Sequence, residues 1–286
     1  MDSLWAGEKN IGGDLLLCND KRYIRSLMAE VRDIYAVAEG IYELELLAPE
    51  VAAKAKPGQF LMIRPNKLGE PFLGRPMGIY DTNTEAGTIT ILFEVHGHGT
   101  ELLAEVKKGD KLPLIAPLGN GFDLVGQPRR VMIVGGGIGI APLYPLANAL
   151  AAAGVDFEVV VGAQTADRLL AMDRLVRLGM PVHVYTDDGT MGKQGYPSVG
   201  VAERLAVEKF DQVFCCGPMP MMRGVAQICE AYGVPCQVSL EERMGCGFGI
   251  CVGCVIDHKA ADGTLSKKRV CYDGPVFDSK EVVWHG

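Results

Sequence analysis

Four cysteines near the end of the chain are spaced like an iron-sulfur ligand set. Cys246, Cys251 and Cys254 follow the pattern C-x4-C-x2-C, and Cys271 comes after sixteen further residues. Thiolates hold 2Fe-2S clusters in this arrangement, three from one loop and a fourth from a distant segment. Gly247, Gly249 and Gly253 are interspersed, as expected where backbone must fold tightly round two irons. Backbone N–H groups in such a loop are free to point at the sulfurs and raise the reduction potential. The competing reading is a tetrahedral zinc knuckle, which would make the chain a zinc-stabilised adaptor module. That site usually carries two C-x2-C pairs, and only one is present here. Cys18, Cys215, Cys229 and Cys236 lack the spacing and read as core or surface thiols. Nine cysteines, an odd number bunched toward one end, suit metal binding in a reducing compartment better than a disulfide scaffold.

A second constellation is glycine-rich. Val131-Met132-Ile133-Val134 runs into Gly135, Gly136, Gly137, Ile138 and Gly139, the pattern of a buried strand followed by a turn and a helix. Such a turn lets a phosphate approach backbone N–H groups at a helix start, although glycine turns also serve plain packing. The spacing departs from G-x-G-x-x-G, so a nucleotide would sit differently from its place in the common dehydrogenases. Cys216, Gly217 and Pro218 end a later strand, where ligands bind in sheets of this type.

A third group lies earlier: Gly74-Arg75-Pro76-Met77-Gly78, then Gly97-His98-Gly99-Thr100. Arg75 beside an extended proline segment suits a phosphate, and Gly99 with Thr100, at the start of a helix from Glu101, offers N–H groups and a hydroxyl to the same anion. A barrel turn and a helix cap explain these strings equally well. His96 and His98 read as rim histidines.

The elements that must carry these residues fall into an antiparallel β-barrel, a doubly wound parallel α/β domain and a C-terminal cluster segment. Apolar runs at 41–46, 60–63 and 88–93, punctuated by Pro57-Gly58, Asn83, Gly87 and Gly109-Asp110, predict a small barrel. Beyond 127 strand and helix alternate: strands at 131–134, 157–161, 182–185 and 212–215, with helices ending near Gly154, around 168–177 and from Pro220. That alternation predicts a parallel sheet. We therefore divide the chain into an extension (1–27), a barrel (28–126), an α/β domain (127–235) and a cluster segment (236–286). With 48% hydrophobic and 22% charged residues the chain is globular. A net charge of −7 without long basic runs excludes a nucleic-acid footprint. Apolar stretches fall far short of the ~20 residues of a bilayer span, no secretory signal opens the chain, and a cytoplasmic protein is expected.

In order and motif the chain resembles the ferredoxin-NADP reductase superfamily, and within it the electron-transfer subunits of dihydroorotate dehydrogenase B. The likeness covers roughly residues 28–280. It is carried also by Pro117-Leu118-Gly119-Asn120-Gly121-Phe122, Glu241-Glu242-Arg243-Met244-Gly245 and Cys271-Tyr272-Asp273-Gly274-Pro275-Val276-Phe277. The resemblance implies FAD on the barrel, NAD(H) on the α/β domain, and a relay through the cluster to a separate FMN-containing catalytic subunit, in a heterotetramer that oxidises dihydroorotate. It implies flavin contacts at Arg75, Pro76, Met77 and Gly78, at Leu92, Phe93 and Glu94, and at Gly99 and Thr100. Nucleotide contacts are implied at Gly135, Gly136, Gly137, Gly139, Cys216, Gly217 and Pro218. Two positions depart from the family: Gly78 stands where serine is usual, and Glu94 where a basic residue is common. A related expectation keeps the chemistry and changes the partner, as in NADH-dependent ferredoxin oxidoreductases or sulfhydrogenases. The electron acceptor is expected to approach residues 248–250 and 271–277. Because the cofactors carry the redox chemistry, no protein acid, base or nucleophile is expected.

Overall fold

The computed structural model describes residues 23–65, 71–124 and 128–285. Most of the expected N-terminal extension, with Cys18, lies outside the described residues.

Six strands close an antiparallel barrel: β1 (Arg25–Ala38), β2 (Ile41–Leu47), β3 (Phe60–Ile63), β4 (Arg75–Asn83), β5 (Thr88–Glu94) and β6 (Lys111–Leu118). They are ordered β1-β2-β5-β4-β3-β6. The first strand begins at Arg25, three residues ahead of the expected boundary. Helix α1 (Pro49–Ala52) follows β2, and α2 (His98–Ala104) follows β5. Alternation along the strands decides which face each side chain serves. Leu44, Leu46, Ile79, Ile89, Ile91 and Phe93 fill the barrel interior, while Ile41, Tyr80 and Leu92 join a second core shared with the α/β domain. Each fully buried side chain of this size contributes about 1.5–3 kcal/mol, so both faces of these strands are held.

The second unit is a seven-stranded sheet in the order β10-β9-β8-β7-β11-β12-β15. Its strands are β7 (Arg130–Gly136), β8 (Asp156–Ala163), β9 (Val182–Thr186), β10 (Lys193–Gln194), β11 (Gln212–Cys216), β12 (Cys236–Ser239) and β15 (Val276–Asp278). Helices α3 (Tyr144–Ala152), α4 (Met172–Arg177), α5 (Pro197–Val207) and α6 (Met219–Tyr232) connect them. Strands β7, β8, β11 and β12 are buried almost throughout, as a parallel sheet covered on both faces requires. The helix expected at 168–177 is broken: Ala171 sits at φ 59° and α4 starts only at Met172.

The cluster segment is not separate from this sheet. Strand β12, beyond the expected boundary at 235, pairs in parallel with β11, and β15 returns antiparallel to β12. The cysteine loop is thus an insertion between two sheet strands. It carries the hairpin β13 (Val255–Lys259) and β14 (Leu265–Arg269) and the short helix α7 (Val270–Asp273). A third core joins the loop to both units, with Phe60, Met62 and Leu118 of the barrel meeting Val238, Cys254, Val270, Cys271 and Phe277. No helix among the described residues is long and apolar enough to cross a membrane.

Candidate functional site

The four cysteines divide into two pairs. The Cys251 N–H lies 3.5 Å from Cys246 Sγ, and the Cys271 N–H lies 3.4 Å from Cys254 Sγ. Burial opposes ionisation of Cys246, yet N–H groups of Cys251, Phe248 and Ile250 outweigh it and bring that thiol down to about 7. Burial pushes the Cys271 thiol up, and the adjacent Cys254 adds to the effect. A binuclear cluster takes two thiolates per iron, and a two-and-two set with amides aimed at a sulfur fits it. Gly245 gives room beside Cys251, since a Cβ there would lie 3.3 Å from its Sγ. Among the described residues no three His, Cys, Asp or Glu side chains close on a single point.

Two anchors fix this loop. Gly247 has φ +81°, and a Cβ there would fall 2.3 Å from Met62 Cγ; only glycine takes this conformation at that approach. Arg269 bridges the loop and the fourth cysteine: its Nη1 donates to the Gly249 carbonyl at 3.0 Å, its Nε to Asp273 at 3.2 Å, and it stacks 4.3 Å over Tyr272. The segment after Cys271 rests on the end of the barrel. Asn120 N donates to Gly274 O at 2.6 Å and Asn120 Nδ2 to Asp273 O at 2.9 Å. The stretches 117–122 and 271–277, singled out separately in the sequence, therefore touch. Ile250 and Val252 are exposed, whereas Cys271, Gly274, Pro275 and Phe277 are buried. The accessible side of the cluster region is thus 250–253, and most of the expected approach surface at 271–277 is interior.

On the barrel, the expected flavin residues form a seam. Residues 75–78 pair with β3, and 92–94 pair with β2. Strands β4 and β5 join each other only from Ile79 to Asn83, so no ladder pairs connect 75–78 to 92–94. The expected flavin stretches thus lie at the end of the barrel where the β4–β5 ladder stops. Arg75 and Gly99 come together as expected, for a Cβ on Gly99 would lie 2.2 Å from Arg75 Nε. Thr100 differs in detail: its hydroxyl accepts from the His96 and Gly97 N–H groups and donates to Gly97 O. It caps α2, which begins at His98 rather than Glu101. Met77 and Phe93 face the barrel interior, leaving only their backbone to the seam. Gly78 faces the α/β domain, where a Cβ on it would lie 3.7 Å from Pro142. Glu94 is an ion-pair partner of Arg168 and lies against His96 Nε2, at 3.1 Å each.

The nucleotide loops also converge. A cleft of 910 Å³ lies between the units, lined by Gly136, Gly137, Gly139, Gly217 and Pro218 with Glu94 opposite. Most of these glycines serve contacts between loops. A Cβ on Gly139 would reach 2.5 Å from Cys216 O, and one on Gly136 2.5 Å from Met221 Sδ. Gly137 alone of this set has open space around it, with φ +54°. Gly135 and Cys216 lie beneath the cleft in paired strands, and burial pushes the Cys216 thiol well above its ordinary range, which makes it inert. The cleft further takes in Arg168, Asp187 and Tyr196, none of which belongs to a motif with recognisable spacing, and Glu241 from the stretch ahead of the cysteine loop.

Comparison with known proteins agrees with this layout. The model for the iron-sulfur cluster binding domain of dihydroorotate dehydrogenase B matches residues 241–283, and that for the oxidoreductase NAD-binding domain matches 133–227. The chain is 41% identical over 249 residues to the dihydroorotate dehydrogenase B (NAD(+)) electron transfer subunit of Bacillus caldolyticus, covering 86% of this chain and 94% of the relative. The corresponding subunit of Desulforamulus reducens is 37% identical over 256 residues, covering 90% and 97%. Among solved structures, an NADH-dependent reduced ferredoxin-NADP oxidoreductase studied for flavin-based electron bifurcation superposes with a TM-score of 0.81 at 33% identity, covering 90% of each chain. The chain belongs to the family of dihydroorotate dehydrogenase B electron-transfer subunits.

Proposed function

We propose that this chain relays electrons between NAD(H) and a separate, FMN-containing catalytic subunit that oxidises dihydroorotate to orotate in pyrimidine biosynthesis. FAD held on the barrel would supply hydride chemistry toward NAD(H) and one-electron chemistry toward the 2Fe-2S cluster. The chain's own residues bind and orient. Cys246, Cys251, Cys254 and Cys271 would hold the cluster, with the N–H groups at Cys246 favouring its thiolate form. Arg75, backed by Gly99, would meet the flavin phosphates, and the backbone of 75–78 and 92–94 would line the ring. Gly137 and the 217–218 turn would receive the nucleotide. Our division of labour keeps the barrel for FAD and the α/β sheet for NAD(H), with the cluster segment inserted between β12 and β15.

The observation that carries this reading is the convergence of the three parts. Met62, which touches Gly247 of the cysteine loop, is paired with Pro76 of the flavin seam, and the seam's outer face meets the nucleotide loop at Pro142. The exposed residues 250–253 are our candidate for the face presented to the catalytic subunit, in a cytoplasmic heterotetramer. The ferredoxin-NADP oxidoreductase likeness supports a second reading, with the same relay and another acceptor. Copurification from the native cell separates the two: an FMN-containing dihydroorotate-oxidising partner supports the first, and a partner that reduces ferredoxin refutes it.

A further inference from the structure

Segment 166–177 of the α/β unit reaches across to the barrel at two points. Arg168 Nη1 meets Glu94 of β5 at 3.1 Å and donates to the Glu39 carbonyl at 3.3 Å. Six residues on, Arg174 Nη2 meets Glu43 of β2 at 2.7 Å and Nη1 meets Asp81 of β4 at 2.6 Å. Its guanidinium also lies over two aromatic rings, 4.9 Å from Tyr80 of β4 and 5.5 Å from Tyr144 at the start of α3. Those rings pack on each other at 5.2 Å. Glu43 is nearly buried, and its carboxylate also accepts from Tyr35 Oη at 2.6 Å. A planar, forked cation that bridges two carboxylates and stacks on two rings has few ways to move.

Of the strands joined here, β4 and β5 carry the flavin seam and β2 pairs with β5. Asp81 and Tyr80 follow residues 75–78 on β4, and Tyr144 follows the glycine loop and Pro142, which faces Gly78. One side chain therefore ties the flavin strand to the nucleotide loop. We propose that Arg174 is a positioning residue for hydride exchange, fixing the separation between the seam and the nucleotide cleft without touching either ligand. The inference rests on the flavin and nucleotide sites proposed above. Hydride transfer is steep in distance, and a displacement near 1 Å costs up to about a hundredfold in rate.

The test is Arg174→Met in the full, cofactor-loaded chain, together with the double variant Glu43→Gln/Asp81→Asn, which removes the partners instead of the cation. Both should keep wild-type FAD and iron content. The limiting rate of flavin reduction by NADH should fall at least about tenfold while the apparent NADH dissociation constant stays within about threefold. The kinetic isotope effect with deuterated NADH should become more temperature dependent, and amide exchange along β4 and α3 should quicken. Arg174→Lys should recover only part of the rate, because an ammonium cannot bridge and stack. A wild-type limiting rate with an unchanged isotope effect overturns the proposal. So does loss of FAD or iron in step with the rate, which would make Arg174 a folding residue. Absence of FAD from the unmodified chain would instead contradict the flavin site itself.

Discussion

A Cβ on Gly247 would lie 2.3 Å from Cγ of Met62, so the cysteine loop rests directly on β3, the barrel strand that pairs with residues 75–78. Gly247→Val adds both a clash and a left-handed strain to this contact, each costing about 1–3 kcal/mol. We expect the variant to lose iron faster than wild type on exposure to chelator, with FAD content intact. Equal iron loss in the two proteins would mean the contact is dispensable.

The ligand assignment predicts that Cys251→Ser abolishes the cluster and retains FAD, since the loop inserts between β12 and β15 and leaves the barrel closed. Iron and sulfide analysis beside the flavin spectrum decides it. A variant with full iron content would remove Cys251 from the ligand set.

Arg75→Ala and Gly99→Val should both release FAD. The first deletes the cation, and the second drives a side chain into its guanidinium. A charge-assisted contact is worth about 1.5–3 kcal/mol, so we expect roughly tenfold to hundredfold weaker flavin binding with unchanged iron. Retention of FAD through gel filtration by both variants would contradict this role.

The Cys246 thiol, brought to about 7 by amide donors against the opposing effect of burial, should be the early-ionising cysteine once iron is stripped. Its alkylation should rise with pH to half-maximum near 7, below the ~8.5 of an ordinary thiol. A midpoint at or above the ordinary value would remove the amides' influence.

Glu158 offers a test of stability away from the site. Burial raises its pKa, but hydrogen bonds from Arg204, His183 and Arg130 prevail and hold the carboxyl below the usual range. A depressed folded pKa contributes stability at pH values above the unfolded ~4.3, and this is lost as pH falls through the folded value. Glu158→Gln should lower stability at neutral pH by about 1–2 kcal/mol, since Arg130 and Arg204 stay partly exposed and keep other carboxylate partners, and flatten the acid limb of the unfolding curve. An unaltered acid limb would show that other carboxylates govern it.

Much of the chemistry was legible because it is local. The cysteine spacing, the glycine turn after β7 and the order of the motifs need only a few neighbouring residues each. The seam was half legible: residues 75–78 stood out as a motif and 92–94 only through the family resemblance, while their division into side-chain and backbone roles follows strand parity, which puts Met77 and Phe93 inside and Gly78 and Glu94 outside. Glu94 stood only as a departure from a position where a basic residue is common, and its partner Arg168 is 74 residues away. Arg174 and Arg269 carry no spacing signal because they act through tertiary contacts. The return of β15 to the sheet was hidden for the same reason: three residues, 276–278, are too short to announce a strand before its partner β12 is known.

The central claim is that electrons entering from NADH reach the cluster within this one chain. Anaerobic addition of NADH to the isolated, cofactor-loaded chain, followed by visible absorbance and electron paramagnetic resonance, tests it most directly. The account predicts flavin bleaching together with the signal of one reduced 2Fe-2S cluster per chain, and no dihydroorotate oxidation until a catalytic subunit is added. Flavin bleaching that never reduces the cluster, or dihydroorotate turnover by the single chain, would contradict it.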